Sequence, residues 1–177
     1  MPSVRVTPGH HPPDLLLVSL DTTRADHLPP WGYDRETAPW ISAQARGGLT
    51  FAAAHATTSW TLPSMASIFT GLPVRAHGAK AIRDEIDGAA QQTLAPAMHT
   101  LAELLSSAGY ETRGVSTNGN LGVGSGFSQG FDDYVDLGWC HDAGLVTAAV
   151  AHWGAPGPDD PPRFTWVHLT DAHAPYV

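Results

Sequence analysis

Apolar positions along the chain fall into short blocks separated by turn-forming residues. Leu15 to Leu20 is almost continuously apolar, opened by Asp14 and closed by the polar stretch Asp21 to Asp26. A run of that length and character predicts a strand buried on both faces of a parallel sheet. Phe164 to Thr170 repeats the pattern and ends at Asp171, Ala172 and His173. Thr112 to Thr117 and Leu49 to Phe51 read as further strands. Between these blocks the apolar spacing is helical. Thr37 to Arg46 has Thr37 as a candidate cap, Pro39 in the first turn and Gly47-Gly48 as a stop. Leu62 to Thr70 starts near Pro63, and Met65, Ile68, Phe69 and Leu72 are spaced to face a core. Thr93 to Ala108 is a third helix, broken or started near Pro96. Asp142 to Trp153 is a fourth, followed by a Pro/Gly/Asp connector. Residues 74 to 92 read as an exposed loop and Gly119 to Gly130 as a glycine-rich one. Strands alternating with helices predict an α/β sandwich with a mostly parallel sheet, its interior strands at 15–20 and 164–170. Residues 1–13 form a loose lead-in and 14–177 one domain, with no internal repeat.

Composition narrows the function classes. The 177 residues are 42% hydrophobic and only 15% charged, which excludes a coiled coil or a highly charged disordered chain. Nine Lys and Arg against seventeen Asp and Glu give a net charge of -8, so no basic nucleic-acid footprint exists. One cysteine, Cys140, excludes an intrachain disulfide framework and a cysteine-rich zinc site. No apolar run reaches the ~20 residues of a membrane span. No secretory signal is visible, and the default expectation is a soluble cytoplasmic protein.

Candidate chemistry sits where strands end and helices begin, the edge at which open α/β sheets place ligands. Asp21 follows the first strand; a carboxylate there needs a partner, either a hard cation or Arg24. Asp26 reads as a structural partner of Arg24. Thr61 stands just before a proline-started helix. It is either an ordinary cap or a hydroxyl placed where the helix end favours a phosphate or sulfate. A metal or base that lowered its pKa would make it a nucleophile, and Ser59 and Ser64 compete for that role. Asp171 and His173, two apart on an extended chain, point the same way. His168, within a strand, reads as a hydrogen-bonded core histidine. His55 and His77 flank the Thr61 helix as possible supporting groups. Gly122, Gly124 and Gly126 do not form a dinucleotide fingerprint, Lys80 completes no P-loop, and Cys140 reads as a packed thiol.

Three segments taken in order resemble the sulfatase-like family of the alkaline phosphatase superfamily: Leu15 to Pro39 around Asp21, Ser59 to Pro73 around Thr61, and Thr165 to Tyr176 around His173. They span nearly the whole chain. The resemblance implies a three-layer α/β/α sandwich, here incomplete, with a divalent cation (Ca, Mg, Mn or Zn) at the carboxyl edge of the sheet. It implies that Asp21 is a metal ligand, that Thr61 is both nucleophile and metal ligand, and that His173 steadies or protonates the ester. Sulfatases carry at position 61 a Cys or Ser converted to formylglycine, which Thr61 cannot become. Met65 replaces their arginine and Thr22 the second aspartate. The lysine and histidine that hold sulfate have no clear match, and the region of Thr117 and Asn118 offers only neutral groups. The implied function is a metal-dependent hydrolase of sulfate or phosphate esters with small-molecule, glycan or lipid-type substrates. The alternatives are a phosphoethanolamine- or phosphoglycerol-type phosphotransferase working through phospho-threonine, and an inactive fragment. The remaining metal ligands are expected downstream of Val177, so that this chain alone is expected to be incompetent.

Overall fold

A computed structural model describes residues 12–80, 93–140 and 142–174. Four strands form one sheet: β1 (Leu15–Leu20), β2 (Glu111–Ser116), β3 (Asp133–Asp136) and β4 (Arg163–Leu169). Their order is β1-β4-β2-β3 and every pairing is parallel. Among the described residues five α-helices accompany them: α1 (Pro39–Gly47), α2 (Thr61–Thr70), α3 (Val74–His77), α4 (Leu101–Ser107) and α5 (Ala143–Trp153). Helices α2 and α4 pack through Leu62, Met65, Phe69 and Leu105 onto the face that carries Leu17, Phe164 and Trp166. Helix α5 packs through Val146 onto Val115 and Val167 on the other face. The α/β sandwich with a parallel sheet is therefore what the molecule adopts.

Local rules explain the element ends. Thr100 and Glu103 form a reciprocal capping box that starts α4, with the Glu103 N–H donating to Thr100 Oγ1 at 3.1 Å and the Thr100 N–H to Glu103 Oε2 at 2.7 Å. This start lies eight residues past the predicted Thr93, because Ala95 to Met98 form a turn instead. Asp142 caps α5 by accepting from the Gly144 N–H. Helix α1 begins at Pro39, but Thr37 does not cap it; its hydroxyl donates to the His27 carbonyl. At Gly114 in β2 a Cβ would come within 2.8 Å of the Tyr134 ring, so glycine there lets that ring lie against the sheet.

Several expectations need correction. Strand β4 is interior, but β1 is an edge strand, paired only with β4 among the described residues. Leu16, Val18 and Leu20 face away from the α2 side, and Leu16 is 62% exposed. Helix α5 packs on β2 and β4 on that face, while its Val150 and Trp153 face Leu16 only across an open pocket. The core stripe of α2 is Leu62, Met65, Ala66 and Phe69, whereas Ile68 and Leu72 are exposed. The stripe runs one turn earlier than predicted because the helix ends at Thr70, before Leu72 can extend its buried face. Leu49 to Phe51 is not a strand; it is exposed and unpaired with the sheet. Strand β3, short and polar, had no apolar run to announce it. The loop predicted at 74–92 contains α3 and the buried His77 and Ala79; its residues 81–92, with His10, His11 and His141, lie outside the described residues.

Candidate active site at the carboxyl edge of the sheet

Because all four strands are parallel, their carboxyl ends open on one edge. Asp21 follows β1, Asn118 lies two residues past β2, and His168 is the penultimate residue of β4. Register aligns Ser19, His168 and Ser116 in one row across the sheet, on the face shared with Trp166. Asp21 is anchored by its own N–H, which donates to the Leu169 carbonyl at 2.8 Å.

The carboxylate of Asp21 is nearly buried and its bonds are one-sided. Oδ2 accepts from Thr61 Oγ1 at 3.0 Å and from Asn118 Nδ2 at 2.8 Å, and His168 Nε2 stands 3.5 Å from it. No hydrogen bond to Oδ1 is found among the described residues. Burial by itself pushes the Asp21 carboxyl up, and the donors on His168, Thr61 and Asn118 outweigh it, so the group sits below its ordinary value of 3.8. Arg24 is not its partner: the guanidinium pairs with Asp26, as expected of Asp26.

Thr61 is the first residue of α2, and Trp60 occupies the cap position without a side-chain cap. The hydroxyl is thus not spent on a backbone N–H, as a cap would be. It donates to Asp21 instead, at the end of the helix whose free N–H groups and dipole favour anions. Asp21, Thr22, Ser59, Trp60, Thr61, Ser64 and His168 line a cleft of about 340 Å³.

Thr22 has φ 54°, a left-handed conformation in which a β-branched residue is strained. Its hydroxyl donates to the Ala172 carbonyl at 2.9 Å and so ties the end of β1 to the turn after β4. That turn carries His173, whose N–H donates to the Thr170 carbonyl and whose Nδ1 lies 2.5 Å from the Ala174 carbonyl oxygen. His173 is at the same sheet edge but is not among the residues lining the cleft. Asp171 accepts from the Ala143 N–H at the start of α5.

The structure therefore brings Asp21 and Thr61 together, with His173 beside the site. It adds two residues that sequence reasoning missed. Asn118 was a neutral group without a role; its position just past a strand at the ligand edge was the available signal. His168 is buried and bonded to Ser19, as a core histidine should be, yet its second nitrogen faces Asp21. His55 is exposed and outside the cleft, and His77 bonds Ser67 at 3.0 Å within the α2–α3 corner. Ser64 and Ser59 line the cleft, and Cys140 is a free, partly buried thiol.

A family model described as Sulfatase matches residues 13–177. The chain belongs to the Sulfatase family. Solved structures place this sulfatase-family chain in the alkaline-phosphatase-like fold. The C-terminal periplasmic domain of EcEptC from Escherichia coli, in complex with Zn, is 18% identical with a TM-score of 0.65; the match covers 94% of this chain and 46% of that one. An alkaline phosphatase superfamily protein from Vibrio parahaemolyticus is 20% identical, TM-score 0.68, covering 93% and 42%. The phosphonate monoester hydrolase of Agrobacterium radiobacter is 19% identical, TM-score 0.66, again covering 93% and 42%. The sulfatase-family chain thus spans less than half the length of these structures. No curated relative matches it. No described helix is long and apolar enough to cross a membrane. One of these similar structures being a periplasmic domain, the expectation of a cytoplasmic protein finds no support.

The donor chemistry at Asp21 fits a hard divalent cation. Oδ1 is left without a hydrogen bond among the described residues, and the Thr61 hydroxyl lies beside the same carboxylate. Among the described residues there is no group of three or more His, Cys, Asp or Glu placed to hold a metal ion.

Proposed function

We propose that the chain carries the nucleophile of a metal-dependent site that cleaves phosphate or sulfate esters. The observation that carries this reading is the Thr61–Asp21 contact: a hydroxyl on the first residue of a helix, bonded to a carboxylate rather than capping the helix. Asp21 and Thr61 supply oxygen donors to the cation. When bound, the cation supplies positive charge that lowers the pKa of a hydroxyl and offsets charge on the transferred group.

The chain's own residues do the rest. Asp21 Oδ2 holds the Thr61 proton on one side, which leaves the Oγ1 lone pairs to the cleft. The helix end receives the anionic ester, and its N–H groups stabilise charge that develops there. Thr61 Oγ1 passes its proton to Asp21 Oδ2 and bonds to phosphorus or sulfur as the bond to the leaving alkoxide breaks. The alkoxide takes up a proton from solvent, or from His173 once the turn after β4 brings that ring to the cleft. Water then bonds to the same phosphorus or sulfur, the bond to Thr61 Oγ1 breaks, and the proton held by Asp21 returns to Thr61. Phosphotransfer shares the first step and differs only in the acceptor, an alcohol in place of water.

Incubation of the full chain with an activated phosphate ester, and separately with an activated sulfate ester, in the presence of Mn²⁺ tests this. Fragment-ion mass spectrometry should locate an adduct on Thr61 that is absent from Asp21→Ala. The two adducts are nearly isobaric, so the ester supplied names the group. An adduct on another residue, or a Thr61 adduct that persists in Asp21→Ala, would count against the assignment.

A further inference from the structure

We propose that His168 is a positioning residue that keeps a proton on Nε2 facing Asp21, so that Oδ2 is tied down and Oδ1 is presented to the cleft. The inference rests on the reading of Asp21 as a metal ligand.

A carboxylate rotates freely about its last bond unless donors fix its plane. Here both hydrogen bonds, from Thr61 and Asn118, meet Oδ2, and His168 Nε2 stands 3.5 Å from the same oxygen. Asn118 is 1% exposed, and its own carbonyl Oδ1 accepts from the Asn120 N–H at 2.9 Å, which fixes Nδ2 as the atom facing Asp21. His168 is equally buried, and its ring is set by Ser19, whose Oγ lies 2.8 Å from Nδ1. Ser19 is itself oriented, because Trp166 Nε1–H donates into the same Oγ at 3.0 Å.

The proton bookkeeping then points one way. If Ser19 donates to Nδ1, a neutral ring carries its proton on Nε2. If Ser19 donates instead to the Val167 carbonyl, 3.3 Å away, Nδ1 is free to carry a proton. A neutral ring in that form would turn a bare Nε2 lone pair toward the carboxylate oxygen 3.5 Å away. Among the described residues Nε2 is buried with no hydrogen-bond partner, so no other protein group there relieves that repulsion. A ring carrying both protons also has one on Nε2. Every arrangement that avoids the clash therefore directs an Nε2 proton at Asp21. The chain Trp166–Ser19–His168–Asp21 runs from the buried core to the cleft.

Long-range ¹H–¹⁵N NMR of the labelled full chain reads the protonation of each ring nitrogen, with the His168 signals assigned by their loss in the variants below. The expected result is a protonated Nε2; a bare Nε2 with a protonated Nδ1 overturns the proposal without any metal or substrate. The second measurement is Mn²⁺ affinity by calorimetry in an isosteric pair. His168→Gln places an amide nitrogen near the Nε2 position, whereas His168→Asn reaches only the Nδ1 position. Positioning predicts that His168→Asn binds Mn²⁺ about tenfold or more weaker than His168→Gln. Equal affinities would mean that the histidine only fills space, and would overturn it. Asp21→Ala separates the two readings: unchanged Mn²⁺ affinity in that variant removes Asp21 as a ligand, while the NMR result still stands or falls alone.

Discussion

Replacing Thr61 by alanine should separate catalysis from stability. Its hydroxyl makes one hydrogen bond, to Asp21 Oδ2 at 3.0 Å. A hydrogen bond to a charged group contributes ~1.5–3 kcal/mol. Asp21 keeps the Asn118 donor at 2.8 Å, and the open cleft lets water reach the vacated place, so the low end applies. Alanine recovers up to ~0.7 kcal/mol of helix propensity. Because Thr61 is not the helix cap, no capping loss is added. The net destabilisation is about 1 kcal/mol against a stability of ~5–15 kcal/mol, a Tm shift of ~2–4 °C for a chain of this size. Turnover should fall by orders of magnitude; loss of a nucleophile costs ~10⁶-fold in a serine protease. Thermal denaturation alongside the adduct assay checks both halves, with Thr61→Ser expected to keep the contact and the adduct. Adduct formation at the wild-type rate in Thr61→Ala would refute the reasoning and move the role to Ser59 or Ser64. A Tm loss beyond ~10 °C would instead make Thr61 a structural residue.

Two further outcomes follow from the packing. Asp21 and Glu111 both titrate below their ordinary values of 3.8 and 4.5; in each, burial raises the carboxyl and donors outweigh it, for Glu111 those on Arg163 and Arg113. A carboxyl depressed in the folded state stabilises the fold above its unfolded pKa and loses that contribution as pH falls through the folded value. Urea midpoints should therefore hold down to about pH 4–4.5 and drop below it, less steeply in Asp21→Asn; a flat profile to pH 2 contradicts this. Gly130 has φ +84°, and a Cβ there would lie 2.2 Å from the Glu103 backbone nitrogen, inside the capping box of α4. Gly130→Ala should lose at least ~3 kcal/mol in urea unfolding followed by circular dichroism, and a wild-type midpoint would show that α4 can shift away.

The strand–helix alternation was legible because apolar runs and turn residues mark it locally. Sheet position was not. The runs at 15–20 and 164–170 look alike, yet only the second is buried under helices on both faces, through Phe164 and Trp166 on one side and Val167 on the other. What distinguishes them is which neighbours arrive, a property of the whole fold. Strand β3 escaped notice because Asp133, Tyr134, Val135 and Asp136 alternate too briefly to signal a strand. At the site, Asp21 and Thr61 could be singled out because each stands at a junction of elements inside a segment that resembles the sulfatase-like family; a hydroxyl at a helix start is by itself an ordinary cap. Asn118 and His168 lie against Asp21 Oδ2, and that contact exists only once the fold has placed the carboxylate. The helix-start reading of Thr61 as a cap failed for a related reason: α2 begins one residue earlier than a capping threonine would require.

The edge position of β1 accounts for the number of polar links that join it to β4. An edge strand has one ladder to fix its end, so Asp21 at that end relies on further polar links to β4 for its placement. The Asp21 N–H bonds Leu169, Ser19 bonds His168, and Thr22 accepts a left-handed backbone to bond Ala172. All three partners belong to β4 or the turn that follows it. Strand β4 is held on both sides, by β1 and by β2, and the buried Thr117 and Thr170 hydroxyls, 2.9 Å apart, pin the ends of β2 and β4 together. Rigidity therefore passes from the inner pair of strands outward to Asp21, and on to Thr61 through one hydrogen bond. A change that loosens β4 should disturb Asp21 before it disturbs the fold, whereas loss of apolar surface from Leu16 on the outer face should not.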